Sequence, residues 1–299
     1  MIQEERREKM KLVKRIGKTL EPYLYLVPAF IFLIGFVYYP FVKNGWLSLN
    51  IVNQFREIRE FAGLRNYSRV LSDSEFWQAV GNTFIYVLVT VPVSMVIAYV
   101  LAVLARKKRK ASIVYEVLFA LSMATSDAVI AVIFQLMYSN QLGVINKLFG
   151  TSIDWLNDPK YALLSLMIIQ IWHNIGYNFL FMLSSLRGLS PEVLEGASLD
   201  GCTGWRLHTK VILPLVSPML FFLLLKDIAY GMTVSSYTLI LTGGGPNGTT
   251  QTIITYIYQK AITSTNYNYA FSATMVGFAI SAVLIALSMI LEKKKVHYT

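Results

Sequence analysis

Three groups of residues have types and spacing that could do chemistry. The first is the glycine-rich run Gly243-Gly244-Gly245-Pro246-Asn247-Gly248-Thr249. Such runs can cradle phosphates with backbone N–H groups, but this one lacks the Gly-Lys-Ser/Thr ending of a nucleotide loop. The Gly-Lys-Thr at 17–19 has Leu12 where that motif needs its first glycine, so the chain is expected to bind no nucleotide. As a turn, the run can take left-handed backbone conformations that other residues resist. The second group lies in an apolar stretch: Lys226, Tyr230, Thr233 and Tyr237 follow at i, i+4, i+7 and i+11, one polar and aromatic stripe of a helix. It could form a solute path, with rings for a sugar face and Lys226 for hydroxyls or an anionic group. Alternatively, Lys226 and Asp227 serve a structural ion pair, though neighbours about 100° apart on a helix are expected to pair poorly with each other. The third group is Gln170, His173, Asn174, Tyr177 and Asn178 in another apolar stretch, with Gln170, Asn174 and Tyr177 on one face. Polar side chains this dense either hydrogen-bond to neighbouring helices or line a transport path. Asp127 is a lesser candidate of the same kind. His173 has no second ligand at metal spacing, so no metal site is expected. No nucleophile–base–acid set or carboxylate pair points to catalysis. The single cysteine, Cys202, excludes an internal disulfide.

The elements that must position these groups follow from hydropathy. Of 299 residues, 55% are hydrophobic and 15% charged, with a mean hydropathy of +0.51. A soluble domain carries nearer ~25% charged residues. Apolar runs long enough to cross a bilayer fall at about 22–42, 83–105, 113–138, 161–183, 215–241 and 270–291. This predicts an all-α integral membrane protein with six spans, those at 83–105 and 215–241 holding Pro92 and Pro218 internally. The basic segment 1–21, with Val13, Ile16 and Leu20 on one face, predicts an interfacial helix on an anionic leaflet. No small-x-small cleavage site follows residues 22–42, which favours an uncleaved first span over a signal peptide.

The connecting pieces then alternate sides. Segments 1–21, 105–112, 184–214 and 292–299 carry eighteen of the 27 Lys and Arg, and segments 43–82, 139–160 and 242–269 carry eight. By the positive-inside rule the first set is cytoplasmic, with both termini inside. The charge of +10 is thus explained by topology and membrane lipids, with no nucleic acid implied. In the outer piece, Asp73-Ser74-Glu75-Phe76-Trp77 reads as a helix start, with Phe76 and Trp77 at headgroup depth.

Segment 190–214 is the polar island between two apolar stretches. Ser190-Pro191-Glu192 reads as a helix start, and Ala197, Gly201 and Gly204 at i, i+4, i+7 predict a smooth helical face. A solvated connecting helix would also fit those features. The full spacing says more: Glu195, Gly196, Ala197, then Asp200, Gly201 and, after nine residues, Val211, Leu213 and Pro214. It resembles the EAA loop of bacterial ABC importer permeases, with Gly196 for the usual second Ala and Val211 for the usual Ile. Leu241-Thr242-Gly243-Gly244-Gly245-Pro246 resembles an outer-loop signature of the carbohydrate and glycerol-3-phosphate branch, and Gly63-Leu64-Arg65-Asn66-Tyr67 the segment before its second span. The resemblance implies an ABC type I importer fold in the bacterial cytoplasmic membrane. It also implies that Glu195, Gly196, Ala197, Asp200, Gly201, Leu213 and Pro214 form a cytoplasmic coupling helix seated in an ATPase subunit. Gly243, Gly244, Gly245 and Pro246 would meet an extracytoplasmic solute-binding protein, and Lys226, Tyr230, Tyr237, Asn174, Tyr177 and Asn178 would line the path. Partners implied are a second, related permease and two ATPase subunits, which bind the ATP and Mg; this chain binds no cofactor and is not itself an enzyme. The expected cargo is a sugar, oligosaccharide or glycerol-3-phosphate-like solute. An ion-coupled secondary transporter or a non-transporting membrane subunit are the alternatives.

Overall fold

The computed structural model describes residues 23–110, 112–141 and 143–295. The basic segment 1–21 and the tail after residue 295 lie outside the described residues. In order, the elements are α1 (Tyr23–Ser48), β1 (Asn50–Val52), β2 (Ile58–Phe61), α2 (Arg65–Leu71), α3 (Ser74–Ala105), α4 (Ser112–Ala124) and α5 (Asp127–Met137). They continue as α6 (Val144–Phe149), α7 (Ala162–Arg187), α8 (Pro191–Leu199), α9 (Gly204–Leu215), α10 (Ser217–Met232), α11 (Ile253–Tyr258) and α12 (Tyr267–Lys295). An apolar run in lipid has only its own backbone to bond to, so helices dominate. The antiparallel pair β1–β2 between α1 and α2, with Asn50 opposite Phe61, was not foreseen.

Four helices, α1, α3, α7 and α12, are long and apolar enough to cross a membrane, and up to six crossings result if each of two bent pairs counts as one. Those pairs correct the simple picture of straight spans. The stretch expected at 113–138 is α4 and α5, bent by 103°. At the break, Ser126 caps α5 by accepting from the Val129 N–H at 3.4 Å. The stretch expected at 215–241 is α10, which follows α9 at a 71° bend and ends at Met232, with a π-helical turn at Thr238–Thr242 beyond it. Thr233, Val234, Ser235 and Ser236 follow, β-branched or hydroxyl residues that give weak helical support. Pro218 lies in the first turn of α10 rather than inside a span, where its missing N–H costs nothing. Pro92, by contrast, is internal to α3.

Two wide turns share one cause. π-helical turns cover Ile34–Tyr38 and His208–Ile212, two residues before Pro40 and Pro214 respectively. A proline ring collides with the carbonyl four residues back, and widening the preceding turn moves that carbonyl aside.

α3 is the spine of the bundle. Its N-terminal end packs Phe76 and Val80 with Tyr256 and Ala273; its middle packs Tyr86 with Ile130, Ile169 and Tyr237. Its C-terminal end packs Ala98 and Ala102 with Phe179, Leu186, Leu194 and Ile212. Asp73 does cap α3, accepting from the Glu75 N–H at 2.9 Å. Phe76 is fully buried in the core, while Trp77 is half exposed. α1 stands apart, exposed from Tyr23 to Lys43, and meets α12 where the Phe41 and Phe278 rings lie 4.8 Å apart.

Where α4 crosses α7, Gly176 is the contact: a Cβ there would lie 1.7 Å from Ser122 Oγ and 2.6 Å from the Phe119 carbonyl. Small residues allow such close helix approach in membranes. Gly176→Ala should therefore destabilise the protein by about 1–3 kcal/mol, since backbone must move. Gly81→Ala, where a Cβ meets nothing within 4 Å, should be neutral or stabilising; thermal unfolding in detergent compares the two.

Candidate functional site

The charged and aromatic groups of the apolar stretches form two clusters. In the first, the Lys226 ammonium lies 2.6 Å from Asp227 Oδ1 and 4.0 Å from the centroid of the Tyr177 ring. Asn178 Nδ2 donates to Asp227 Oδ2 at 2.6 Å. This corrects the expectation that sequence neighbours would pair poorly. The lysine stem is long enough to curl around the helix and bring its head to the next residue. Asp227 has no exposed side-chain surface, whereas Lys226 keeps 28% of its own, so the carboxylate is structural and the ammonium accessible. Tyr177 stacks on Phe181 with centroids 4.4 Å apart, which extends the aromatic surface beside the ammonium.

The second cluster centres on Asp127, at the N-terminus of α5. Its Oδ2 accepts from the Tyr230 hydroxyl at 2.7 Å and its Oδ1 from the Tyr237 hydroxyl at 3.3 Å. His173 Nδ1 lies 2.9 Å from the Tyr237 hydroxyl and 3.6 Å from Asp127 Oδ1. Tyr230 and Tyr237 are therefore brought together, though not by one helical face. α10 ends between them, and the acceptor on α5 gathers both. Asn174 joins neither cluster; it accepts from Gln170 Nε2 at 2.8 Å, and Gln170 Oε1 accepts from the Tyr86 hydroxyl at 3.1 Å. Tyr86 was missed by sequence reasoning, because a lone tyrosine in an apolar run carries no spacing signal.

In the island, the helix ends at Leu199 and Gly201 has φ of +76°. The Ala197, Gly201 and Gly204 positions therefore do not share one helical face, which corrects the i, i+4, i+7 reading. The chain turns instead, closed by Cys202 N–H donating to the Ala197 carbonyl at 2.9 Å; glycine supplies the left-handed residue that such a helix stop needs. Ser190 and Pro191 do open α8, but the Ser190 hydroxyl bonds to the Glu192 carboxylate rather than to a backbone N–H. That bond holds the Glu192 carboxyl below its ordinary range. Leu199 and Trp205 point outward, Leu199 being 89% exposed, and Glu195 is exposed where it borders a cavity. Added Cβ atoms at Gly196 and Gly201 would meet nothing within 4 Å, so this surface is open and smooth. Leu213 and Pro214 sit on α9 just before its bend, with the Pro214 carbonyl accepting from Ser217 Oγ at 2.7 Å.

At the other end, Gly243, Gly244 and Gly248 all have positive φ, and the Gly245-Pro246 bond is cis. Side-chain amides hold the loop by its backbone: Asn82 Nδ2 donates to the Gly248 and Gln251 carbonyls at 2.8 and 2.9 Å, and Gln259 Nε2 to the Gly243 carbonyl at 2.7 Å. A Cβ at Gly244 would lie 3.0 Å from Gln259 Nε2. Among the described residues no group of three or more His, Cys, Asp or Glu could hold a metal ion.

A bundle of apolar helices with polar clusters inside it, broken crossings and an open polar island defines a multi-pass membrane transport component. Residues 73–296 match the family described as the binding-protein-dependent transport system inner membrane component, and the chain belongs to that family. It is 31% identical over 276 residues to the probable ABC transporter permease protein YurN of Bacillus subtilis (strain 168), covering 90% of this chain and 94% of that one. It is 29% identical over 282 residues to the sn-glycerol-3-phosphate transport system permease protein UgpA of Agrobacterium fabrum, covering 93% and 96%. Two solved structures of a bacterial ABC transporter for the acidic polysaccharide alginate share the fold. One has a TM-score of 0.79 at 20% identity, covering 95% of this chain and 99% of that one. The other, with an alginate pentasaccharide-bound periplasmic protein, scores 0.78 at 19% identity, covering 94% and 98%. The chain is thus an ABC importer permease of the cytoplasmic membrane that works with a solute-binding protein, which sets aside the secondary-transporter and scaffold alternatives.

Removing Lys226 alone should strand a buried carboxylate. Lys226→Met is expected to cost up to about 3–5 kcal/mol, less to the extent that the exposed ammonium is already solvated. The double variant Lys226→Met/Asp227→Leu should recover part of that loss in thermal unfolding.

Proposed function

We propose that the chain forms one half of the solute pathway of an ATP-driven importer, with a second related permease as the other half. The cargo is a sugar, oligosaccharide or glycerol-3-phosphate-like solute handed over by the binding protein at the Gly243–Pro246 loop. The observation that carries this reading is the wall made by Lys226, Tyr177 and Tyr230. It offers an accessible ammonium and ring faces inside an apolar bundle, and a charged group at membrane depth belongs against a wet cavity or another chain. Aromatic faces suit the C–H side of a sugar ring, and the ammonium suits hydroxyls, a carboxylate or a phosphate. Named relatives for sn-glycerol-3-phosphate and a fold neighbour for an acidic polysaccharide are in keeping with anionic cargo.

On this reading, both termini and the island lie in the cytoplasm, and two ATPase subunits hold ATP and Mg outside this chain. Glu195, Gly196, Ala197, Asp200 and Gly201 present the surface that docks on an ATPase, and Leu213 and Pro214 connect it to the bend before α10. ATP-driven closure of the ATPases pushes this surface, and the helices switch access to the wall from one side to the other.

In proteoliposomes holding the assembled transporter, Glu195→Lys should lower ATP-driven uptake about tenfold, the equivalent of ~1.4 kcal/mol of docking, while solute binding by the binding protein is unchanged. Unchanged uptake would remove the coupling role. Cys202 should react with an impermeant thiol reagent in inside-out vesicles and not in intact cells; labelling from outside would overturn the orientation.

A further inference from the structure

A cavity of about 600 Å³ separates the inner end of α3 from α8 and α9. Its apolar wall includes Leu104, Leu194 and Ile212, and its rim carries Arg106, Lys107 and Arg109. Leu104 is 71% exposed on the last turn of a membrane-crossing helix, so the apolar wall runs on into surface that faces acyl chains. The side chains of Arg106, Lys107 and Arg109 make no hydrogen bond or ion pair among the described residues. The one acid at the mouth, Glu195, belongs to α8 on the opposite wall. An apolar slot that is continuous with the exposed surface at Leu104 and is lined by cations unpaired among the described residues matches a molecule with acyl chains and an anionic head. Neither a sugar nor a soluble metabolite needs the apolar wall, and a basic peptide would be repelled by the rim.

We infer that this cavity binds an anionic phospholipid of the inner leaflet, its head on Arg106, Lys107 and Arg109 and its chains along Leu104. The lipid then bridges the end of α3 to the Glu195 segment, so that the charge of the membrane sets how firmly that segment is held. The inference rests on the inward orientation proposed above, which Cys202 labelling tests separately from any lipid.

The test uses a charge-matched pair of variants from one loop. Lys107 and Arg109 line the cavity, whereas Lys108 and Lys110, exposed beside them, do not. The assembled transporter is equilibrated with mixed micelles holding phosphatidylglycerol or phosphatidylcholine, and retained lipid is counted by native mass spectrometry. ATPase activity is followed in nanodiscs of each lipid. The wild type should retain phosphatidylglycerol in preference to phosphatidylcholine. Each cation near an anionic surface contributes about fivefold in affinity, so K107Q/R109Q should lose retention by roughly 25-fold. K108Q/K110Q should keep it. Leu104→Trp, which fills the slot and leaves every charge, should also lose retention and should abolish the difference in ATPase activity between the two nanodiscs. Equal losses from both double variants would mean diffuse attraction only and would overturn the site. So would displacement of the lipid by glycerol 1-phosphate alone, which would assign the rim to soluble anions, or retention unaffected by Leu104→Trp.

Discussion

The Asp227 carboxylate sets the terms on which α7 and α10 pack. It is fully buried, and an isolated charge at such depth is costly unless paired and hydrogen-bonded. Lys226 and Asn178 supply the pair and the bond, one from its own helix and one from α7. The register between the two helices is therefore fixed by one buried oxygen pair. Leu223, four residues before Asp227, packs in the cluster with Phe179 and Leu183, so apolar packing agrees with the register that the carboxylate requires. Asp127 plays a different part. It is 27% exposed, and its partners come from α7, from the end of α10 and from the turn beyond it. It ties the middle of α7 to the break before α5 and to the end of α10.

The expected apolar runs each became helix, because hydropathy and the lack of any other backbone partner in lipid leave little choice. The breaks were not legible in the same way. The 103° bend after α4 falls at Thr125-Ser126, a pair that hydropathy averages away. The end of α10 at Met232 falls within a run that stays apolar enough to look continuous. The first is marked only by a local cap, Ser126 accepting from the Val129 N–H, and the second is held by tertiary hydrogen bonds from Tyr230 and Tyr237 to Asp127. The grouping of Lys226, Tyr177 and Asn178 was legible only as separate faces of two helices. Their meeting through Asp227 depends on a lysine rotamer that no periodicity encodes. The β1–β2 pair escaped for another reason: short strands in an outer loop give too few alternating residues to stand out.

Two kinds of exposed surface need separating. α1 is exposed and apolar from Tyr23 to Val42 apart from its prolines, alanine and glycine, which is a surface that lipid alone can satisfy. The Lys226, Tyr230 and Asp127 surface is exposed and polar, which lipid cannot satisfy. The chain therefore presents one apolar exposed face and another that is polar. That asymmetry is independent of any motif, and it agrees with a half-pathway assembled from two permeases.

The route by which the island could act on that polar face is short. α9 and α10 are adjoining helices with a 71° bend between them, so displacement of α9 rotates the helix that carries Lys226, Asp227 and Tyr230. Leu194 on α8 and Ile212 on α9 are both buried in the cluster that holds Ala98, Leu186 and Leu223. Close-packed side chains move together or not at all. On the proposed coupling role, a push on the exposed Glu195–Gly201 surface would be passed to the C-terminal end of α3 as a block, and the bend at Val216 would convert it to tilt. The carboxylate of Asp127 bonds to the far end of the same helix through Tyr230. Whatever tilts α10 must either carry α5 along or release that bond, and either outcome changes the wall that the solute would meet.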